Sequence, residues 1–166
     1  MKIALLGYGK MGHEVEKIAT ENGNTMFYAS NFSIGVNIFF DINRRLASLL
    51  KEYPMYLPSM VEIHHTQKLD SPSGTAITLA NGIIESNPKY TRYTESVPVE
   101  GEIPVHSIRE GNVPGTHSVT WKSDIDQLTI THEAYSRRGF ALGAVMAAAF
   151  IHGRKGVFTM KDLLNL

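Results

Sequence analysis

The chain has 166 residues, 43% of them hydrophobic, with 16 basic and 16 acidic side chains and a formal charge of +0. That is a globular composition with no general electrostatic pull on nucleic acid or an anionic membrane. Cysteine is absent, which excludes disulfides, thiolate nucleophiles and cysteine-held metals and suits a reducing compartment. No apolar run approaches the ~20 residues that span a bilayer. The apolar start, Met1 to Leu6, is too short for a signal-peptide core. A cytoplasmic chain without nucleic-acid or membrane partners is therefore expected.

Lys2 to Leu6 reads as a short buried strand. Gly7-Tyr8-Gly9-Lys10-Met11-Gly12 follows, and then Val15, Ile18 and Ala19 fall on one helical face. In this strand–glycine–helix setting, glycines let a pyrophosphate reach the N–H groups at a helix start. A merely structural tight turn is the competing reading. The acidic residue that such a fold places about 20 positions on for a ribose is missing; Phe32 stands there. Asn22-Gly23-Asn24 reads as a helix stop, and Thr25 to Ser30 as a second short strand.

Residues 35–53 form the clearest helix, with Ile38, Phe39, Ile42, Leu46, Leu49 and Leu50 as its apolar stripe. Pro54 and Pro58 bound a turn, and Ser59 to His64 reads as a strand. Ser71 as N-cap and Pro72 as first helical residue open the next helix. Its apolar face is Ala76, Ile77, Ala80, Ile83 and Ile84, and it stops near Asn87-Pro88. Residues 88–104 have no period and read as a surface loop or irregular edge. Three strands follow, beginning at Val105, His117 and Leu128, the last two joined by a turn at 123–126. They are expected to be adjacent and antiparallel, and to share a sheet with the strand before His64. A small-residue helix over 140–152 offers Ala141, Ala144, Ala147 and Ala148 for close packing on that sheet. Thr159-Met160-Lys161-Asp162 has the form of a capping box.

The chemistry concentrates in Glu62-Ile63-His64-His65-Thr66-Gln67-Lys68-Leu69-Asp70-Ser71-Pro72-Ser73-Gly74-Thr75-Ala76. Adjacent strand residues point to opposite faces, so His64 and His65 share a side only if the strand ends between them. Lys68 adds a long-reaching cation, and Ser73, Gly74 and Thr75 fall in a first helical turn with unpaired N–H groups. Those groups describe a pocket for a small carboxylate-bearing molecule, with an imidazole to transfer a proton. The competing reading makes the histidines hydrogen-bonded sheet residues and Lys68 a solvated charge. A metal reading is weaker, because Glu62, His64 and His65 lack the i, i+4 helical pair of zinc hydrolases. His106, His117 and His132 suit core or surface roles, and Trp121, Phe39, Phe40 and Phe140 read as core.

The segment 62–76 resembles the substrate motif of the dihydrodipicolinate reductase family. The likeness continues through residues 107–111, Gly115-Thr116-His117, Ser136-Arg137 and residues 140–144. Residues 7–12 match the family's N-terminal pattern, and residues 29–35 its interdomain segment. The resemblance implies an α/β (α+β) fold. A mixed β-sheet substrate-binding and oligomerisation domain with flanking helices would span 35–152. Residues 1–34 and 153–166 would be a remnant of a Rossmann-like dinucleotide-binding domain, with 154–166 beside 1–30. It implies an NAD(P)H-dependent oxidoreductase that converts 4-hydroxy-tetrahydrodipicolinate to tetrahydrodipicolinate in the diaminopimelate route of lysine biosynthesis. Hydride would go to ring C4 as the 4-hydroxyl leaves as water.

By the same resemblance His64 is the general acid, and Lys68 a second proton donor and substrate contact. His65 touches the substrate, a small cyclic dicarboxylate, and Gly74 and Thr75 bind one of its carboxylates. Gly7, Tyr8, Gly9, Lys10, Met11, Gly12, Ala29, Ser30, Asn31 and Phe32 would meet NADPH or NADH, and the sheets would assemble a homotetramer. The family carries further strands, a ribose selector and a Gly-Thr-Thr-Gly loop where this chain passes from Asn22 to Thr25. Impaired cofactor binding is the expectation. The alternative is a non-catalytic, dicarboxylate-binding, tetramer-forming module; a metal-dependent hydrolase is a distant third.

Overall fold

The structure, a computed structural model, describes residues 10–166, with Lys10 and Met11 described by their backbone alone. The strand expected at 2–6 and Gly7, Tyr8 and Gly9 lie outside the described residues. In chain order the elements are α1 (Lys10–Glu21), β1 (Thr25–Phe27), α2 (Ile34–Leu50), β2 (Leu57–His64), α3 (Gly74–Ser86), β3 (Arg92–Thr94), β4 (Glu102–Arg109), β5 (Thr116–Lys122), β6 (Gln127–Glu133), α4 (Arg138–Phe150), β7 (Gly156–Phe158) and α5 (Met160–Leu164). They fall into two compact units, Met1–Asn37 with Arg138–Leu166, and Ile38–Arg137.

The second unit is built on a five-stranded sheet of order β3-β4-β2-β5-β6. The expectation of adjacent antiparallel strands is corrected here. β2 lies between β4 and β5, and β4 runs parallel to it. The physical reason is α3, a crossover helix that carries the chain back to the starting end of the sheet. The short β3 forms an edge in the segment read as irregular, pairing in parallel with β4. Along β2 burial alternates, so that Pro58, Met60, Glu62 and His64 all face inward. Trp121 and Val119 on β5 share that inner face and are fully buried. On the other face Val61, Ile63, Thr116, Ser118 and Thr120 are half-buried, and His106 and Ile108 are exposed.

The inward side of α2 is also a correction. Ile38, Ile42 and Leu49 of the expected stripe are exposed, while Phe39, Phe40, Asn43, Ala47 and Leu50 are buried. Close approach to α3 decides this. A Cβ at Gly82 would lie 3.2 Å from Arg44 Cγ, and Asn43 Nδ2 donates to the Leu79 carbonyl at 2.8 Å. Small or hydrogen-bonding residues therefore occupy the helix contact, where bulky ones would not fit.

In the first unit β1 pairs in parallel with β7, Met26 opposite Val157. That brings the chain's last segment beside residues 25–27, as the resemblance implies. β1 is shorter than the stretch read as strand, although Tyr28 N still donates to Phe158 O at 3.1 Å. The rings of Phe27 and Phe32 stack at 5.9 Å, and Phe150 meets Phe27 and Phe158 edge-on at 6.3 and 5.6 Å. Helix α4 belongs to this unit, where its alanines had suggested the sheet. The reason is Gly143: a Cβ there would sit 1.7 Å from the Phe32 carbonyl oxygen, so α4 lies directly against that backbone. The capping box at α5 is present, with Thr159 and Asp162 in its two reciprocal roles. Among the described residues no helix is long and apolar enough to cross a membrane.

Candidate active site

β2 ends at His64, so the chain turns between the two histidines. His64 stays on the buried face, while His65 moves into a loop and is half-buried. Backbone bonds hold that turn: His65 N donates to Val113 O, Thr66 N to Gly111 O, and Glu110 N to His64 O. Lys68 N donates to His65 O at 3.1 Å, which folds Lys68 back toward the strand end. Lys68 Nζ donates to both carboxylate oxygens of Asp70 at 2.8 Å. That contact holds the Asp70 carboxyl below the usual carboxylate range.

Helix α3 begins at Gly74 with Ser73 as N-cap, which corrects the expectation of Ser71. The Ser73 N–H is taken by the Glu62 carboxylate at 3.0 Å, and Ser73 Oγ accepts from Ala76 N at 3.2 Å. Helical bonding thus starts two residues later than the proline suggests. Gly74 is exposed, Thr75 is half-buried, and both lie in the turn whose N–H groups point out of the helix start.

Beneath these residues is a charged cluster whose parts, apart from Glu62 and His64, carried no predicted role. The Glu62 side chain is 1% exposed. Its Oε1 accepts from Ser73 N and from Arg109 Nη2, each at 3.0 Å. Its Oε2 faces His64 Nδ1 at 3.3 Å and His117 Nε2 at 3.6 Å, within ion-pair range though neither contact is aligned as a hydrogen bond. Burial pushes the Glu62 carboxyl up, but contacts from His117, His64, Ser73 and Arg109 outweigh it and hold it well below the usual range. His117 was read as a core or surface residue. The structure puts it in the site, its ring 4.9 Å from that of His64 and its Nε2 3.0 Å from Ser73 Oγ. Burial drives its imidazole below the ordinary value, with Glu62 opposing in part.

Arg109 spreads its guanidinium over the loop as well. Nη2 donates to Asp70 O at 2.6 Å, and Nε to Lys68 O at 3.3 Å. Arg137 Nη2 approaches His65 Nε2 at 3.5 Å. The sequence signal for Arg109 and Glu62 was two opposite charges at alternating positions of strands that otherwise bury apolar side chains. It needed the β2–β4 pairing to become legible. Glu62, His64 and His117 each offer a donor atom within 4.8 Å of the others, a spacing that a divalent cation could bridge. Arg109 already neutralises the carboxylate, however, and Ser73 already occupies His117 Nε2.

His64, His65, Lys68, Gly74 and Thr75 thus all belong to the second unit, around the C-terminal end of β2 and the start of α3. Of the residues expected to meet a dinucleotide, those described are in the first unit. Lys10, Met11 and Gly12 open α1, and Gly12 is buried. Asn31 Oδ1 accepts from Ser33 N at 2.8 Å, and Asn31 O from Asn37 Nδ2 at 2.8 Å. Phe32 is held by Phe27 and Gly143, and Ser30 is exposed next to half-buried Ala29.

The family described as "Dihydrodipicolinate reductase, C-terminus" matches residues 35–164. The chain belongs to that family. The 4-hydroxy-tetrahydrodipicolinate reductase of Christiangramia forsetii is 51% identical over 152 residues, covering 92% of this chain and 64% of that protein. Reductases of the same name from Akkermansia muciniphila and Methanococcoides burtonii are 42% and 38% identical, covering 84% and 91% of this chain but 59% and 58% of theirs. The chain therefore spans about three fifths of the length of these relatives. A solved structure, dipicolinate-bound dihydrodipicolinate reductase from Paenisporosarcina sp. TG-14, shares the fold. Its TM-score is 0.68 at 24% identity, over 95% of this chain and 62% of that one.

Proposed function

We propose that this chain is the substrate-binding and proton-donating part of a 4-hydroxy-tetrahydrodipicolinate reductase, a cytoplasmic enzyme of lysine biosynthesis, acting on a small cyclic dicarboxylate. The observation that carries the reading is the gathering of His64, His65, Lys68 and the start of α3 at one strand end over a single buried carboxylate. In this reading Lys68 releases Asp70 to take a ligand carboxylate, and the α3 start at Gly74 and Thr75 takes the same or the second one. His64, with Nδ1 turned to Glu62, presents Nε2 to donate a proton. His65, with Arg137 beside it, borders the ligand.

The dinucleotide, NADPH or NADH, would supply hydride. Among the described residues the fit is incomplete: the start of α1 could face a phosphate, but Asn31 and Phe32 are engaged within the protein. No step of turnover is assigned to those residues. Assembly as a homotetramer through the open sheet face fits the exposed Ile108 and the hydroxyl pairs Ser118–Thr131 and Thr120–Thr129 there.

Calorimetric titration with pyridine-2,6-dicarboxylate tests the reading. Binding that falls at least tenfold in Lys68→Ala supports it, and no binding to the wild-type chain sinks it. A second reading, a dicarboxylate-binding module without redox turnover, is favoured by the short span relative to the named reductases. NADPH or NADH oxidation in the presence of substrate would eliminate that second reading.

A further inference from the structure

We infer that Glu62 is the positioning residue of this site, fixing the tautomer of His64 directly and the place of Lys68 through Arg109. The inference deepens the dicarboxylate reading and rests on it. The two oxygens of Glu62 have separate duties. Oε1 is filled by two donors, Arg109 Nη2 and Ser73 N. Oε2 is left facing His64 Nδ1 and His117 Nε2.

Distance favours His64 as the imidazole that supplies a proton to Oε2, at 3.3 Å against 3.6 Å for His117. Ser73 Oγ accepts from Ala76 N and lies 3.0 Å from His117 Nε2, and its hydroxyl proton can serve that nitrogen. With the Ser73 hydroxyl donating to it, His117 Nε2 is the acceptor of that pair and leaves the nearer Nδ1 of His64 to serve the carboxylate. The ring proton that reaches Oε2 is the one on His64 Nδ1. A neutral imidazole protonated at Nδ1 has its lone pair at Nε2, so Nε2 is the atom that takes up and delivers the working proton. Gly115 makes room for that atom: a Cβ there would lie 3.0 Å from it.

The second arm runs through Arg109. The guanidinium that binds Oε1 also holds the carbonyls of Lys68 and Asp70, so the loop carrying the ammonium is tied to the same carboxylate as the imidazole. Among the described residues, the charged or titratable groups around His64 include Glu62 on its own strand, Arg109 on β4, and His117 on β5 with His132 near His117. A metal ion in place of the His64 proton would need His117 Nε2 released from Ser73.

The experiment is nitrogen-15 NMR of the histidine side chains, with His64→Gln to assign the signals. Wild-type His64 is expected as the Nδ1–H tautomer. In Glu62→Gln the amide oxygen stays with Arg109 and Ser73 N, which turns the amide NH2 toward His64. The tautomer should then flip to Nε2–H, with cooperative unfolding retained. Arg109→Lys keeps a charge on Glu62 but loses the fork over the loop. It should leave the tautomer unchanged and weaken pyridine-2,6-dicarboxylate about tenfold. An Nε2–H tautomer in the wild type, an unchanged one in Glu62→Gln, full dicarboxylate affinity in Arg109→Lys, or stoichiometric zinc taken up at His64 would each overturn the inference. If Glu62→Gln fails to fold, the wild-type tautomer and Arg109→Lys decide. Absence of dicarboxylate binding in the wild type overturns the functional reading instead, and leaves the tautomer assignment to stand or fall separately.

Discussion

The two compact units solve the problem of an interior differently. The sheet unit buries charge and hydrogen-bonding groups, with Glu62, His117, Asn43 and Ser73 all inside among Trp121, Leu79 and Ile83. Among the described residues, the other unit packs the rings of Phe27, Phe32, Phe150 and Phe158 around a three-residue parallel strand pair, with a backbone contact at Gly143. A central strand has a neighbour on each side, and each can bring a countergroup to a buried carboxylate. The described strand pair offers little interior of its own, and stacking and close helix contact hold the described part of that unit.

The contrast can be broken most forcefully at Trp121, fully buried on the sheet's inner face. Trp121→Ala should cost about 4 kcal/mol in urea unfolding. A loss below about 1 kcal/mol would mean that this face is not the main core. In the first unit Gly143→Ala should cost about 3 kcal/mol, because the obstructing atom is a backbone oxygen. The gain of about 1 kcal/mol in helix propensity does not offset it. Thermal unfolding followed at the Phe27 and Phe150 resonances would show the loss. A stabilised variant would refute the close-contact account of α4.

Acid should act on the sheet unit next. His117 is held below its ordinary 6.5, so the neutral form favours the folded state. Its contribution is complete above pH 6.5 and is lost as pH falls through the folded value. Glu62 is held below 4.5, so its contribution is complete above that value and is lost further down. Urea midpoints should therefore fall in two stages on acidification, by at most about 1.4 kcal/mol per pH unit for each titrating group. A profile flat as pH falls below 6.5 would contradict the burial of His117, and one flat below 4.5 would contradict the pairing of Glu62. The smallest effect belongs to the first unit: Thr159→Ala removes the cap of α5 and should cost about 1 kcal/mol, visible as faster amide exchange at Leu163 and Leu164.

Much of this was legible in advance, and the reasons for the rest are local. That His64, His65, Lys68, Gly74 and Thr75 lie around one strand end and helix start is readable from residue type in the stretch 62–76. Arg109 and His117 were hidden because their meaning depends on which strands lie beside β2. That order is set by the α3 crossover, which leaves no mark on either residue. The α2 stripe was misread because Ile38, Ile42 and Leu49 look as apolar as Phe39 and Leu50. The nearness of α3, marked only by Gly82, selects Asn43 and Ala47 for the interior. Ser71 looked like a cap until Glu62, distant along the strand, claimed the Ser73 N–H.

The pairing of β2 also constrains how the sheet can be assembled. Glu62 lies opposite His117 on one neighbour, and His64 opposite Arg109 on the other. Sliding β2 by one residue against either strand would turn the carboxylate and the imidazole to the opposite face and bring Ile63 inward. Half-buried Arg109 and buried His117 would be left without their partner, a loss that interchangeable aliphatic side chains could not impose. The buried charged cluster therefore also acts as a lock on strand alignment: a chain paired out of step would lose the cluster and would be less stable for the same reason.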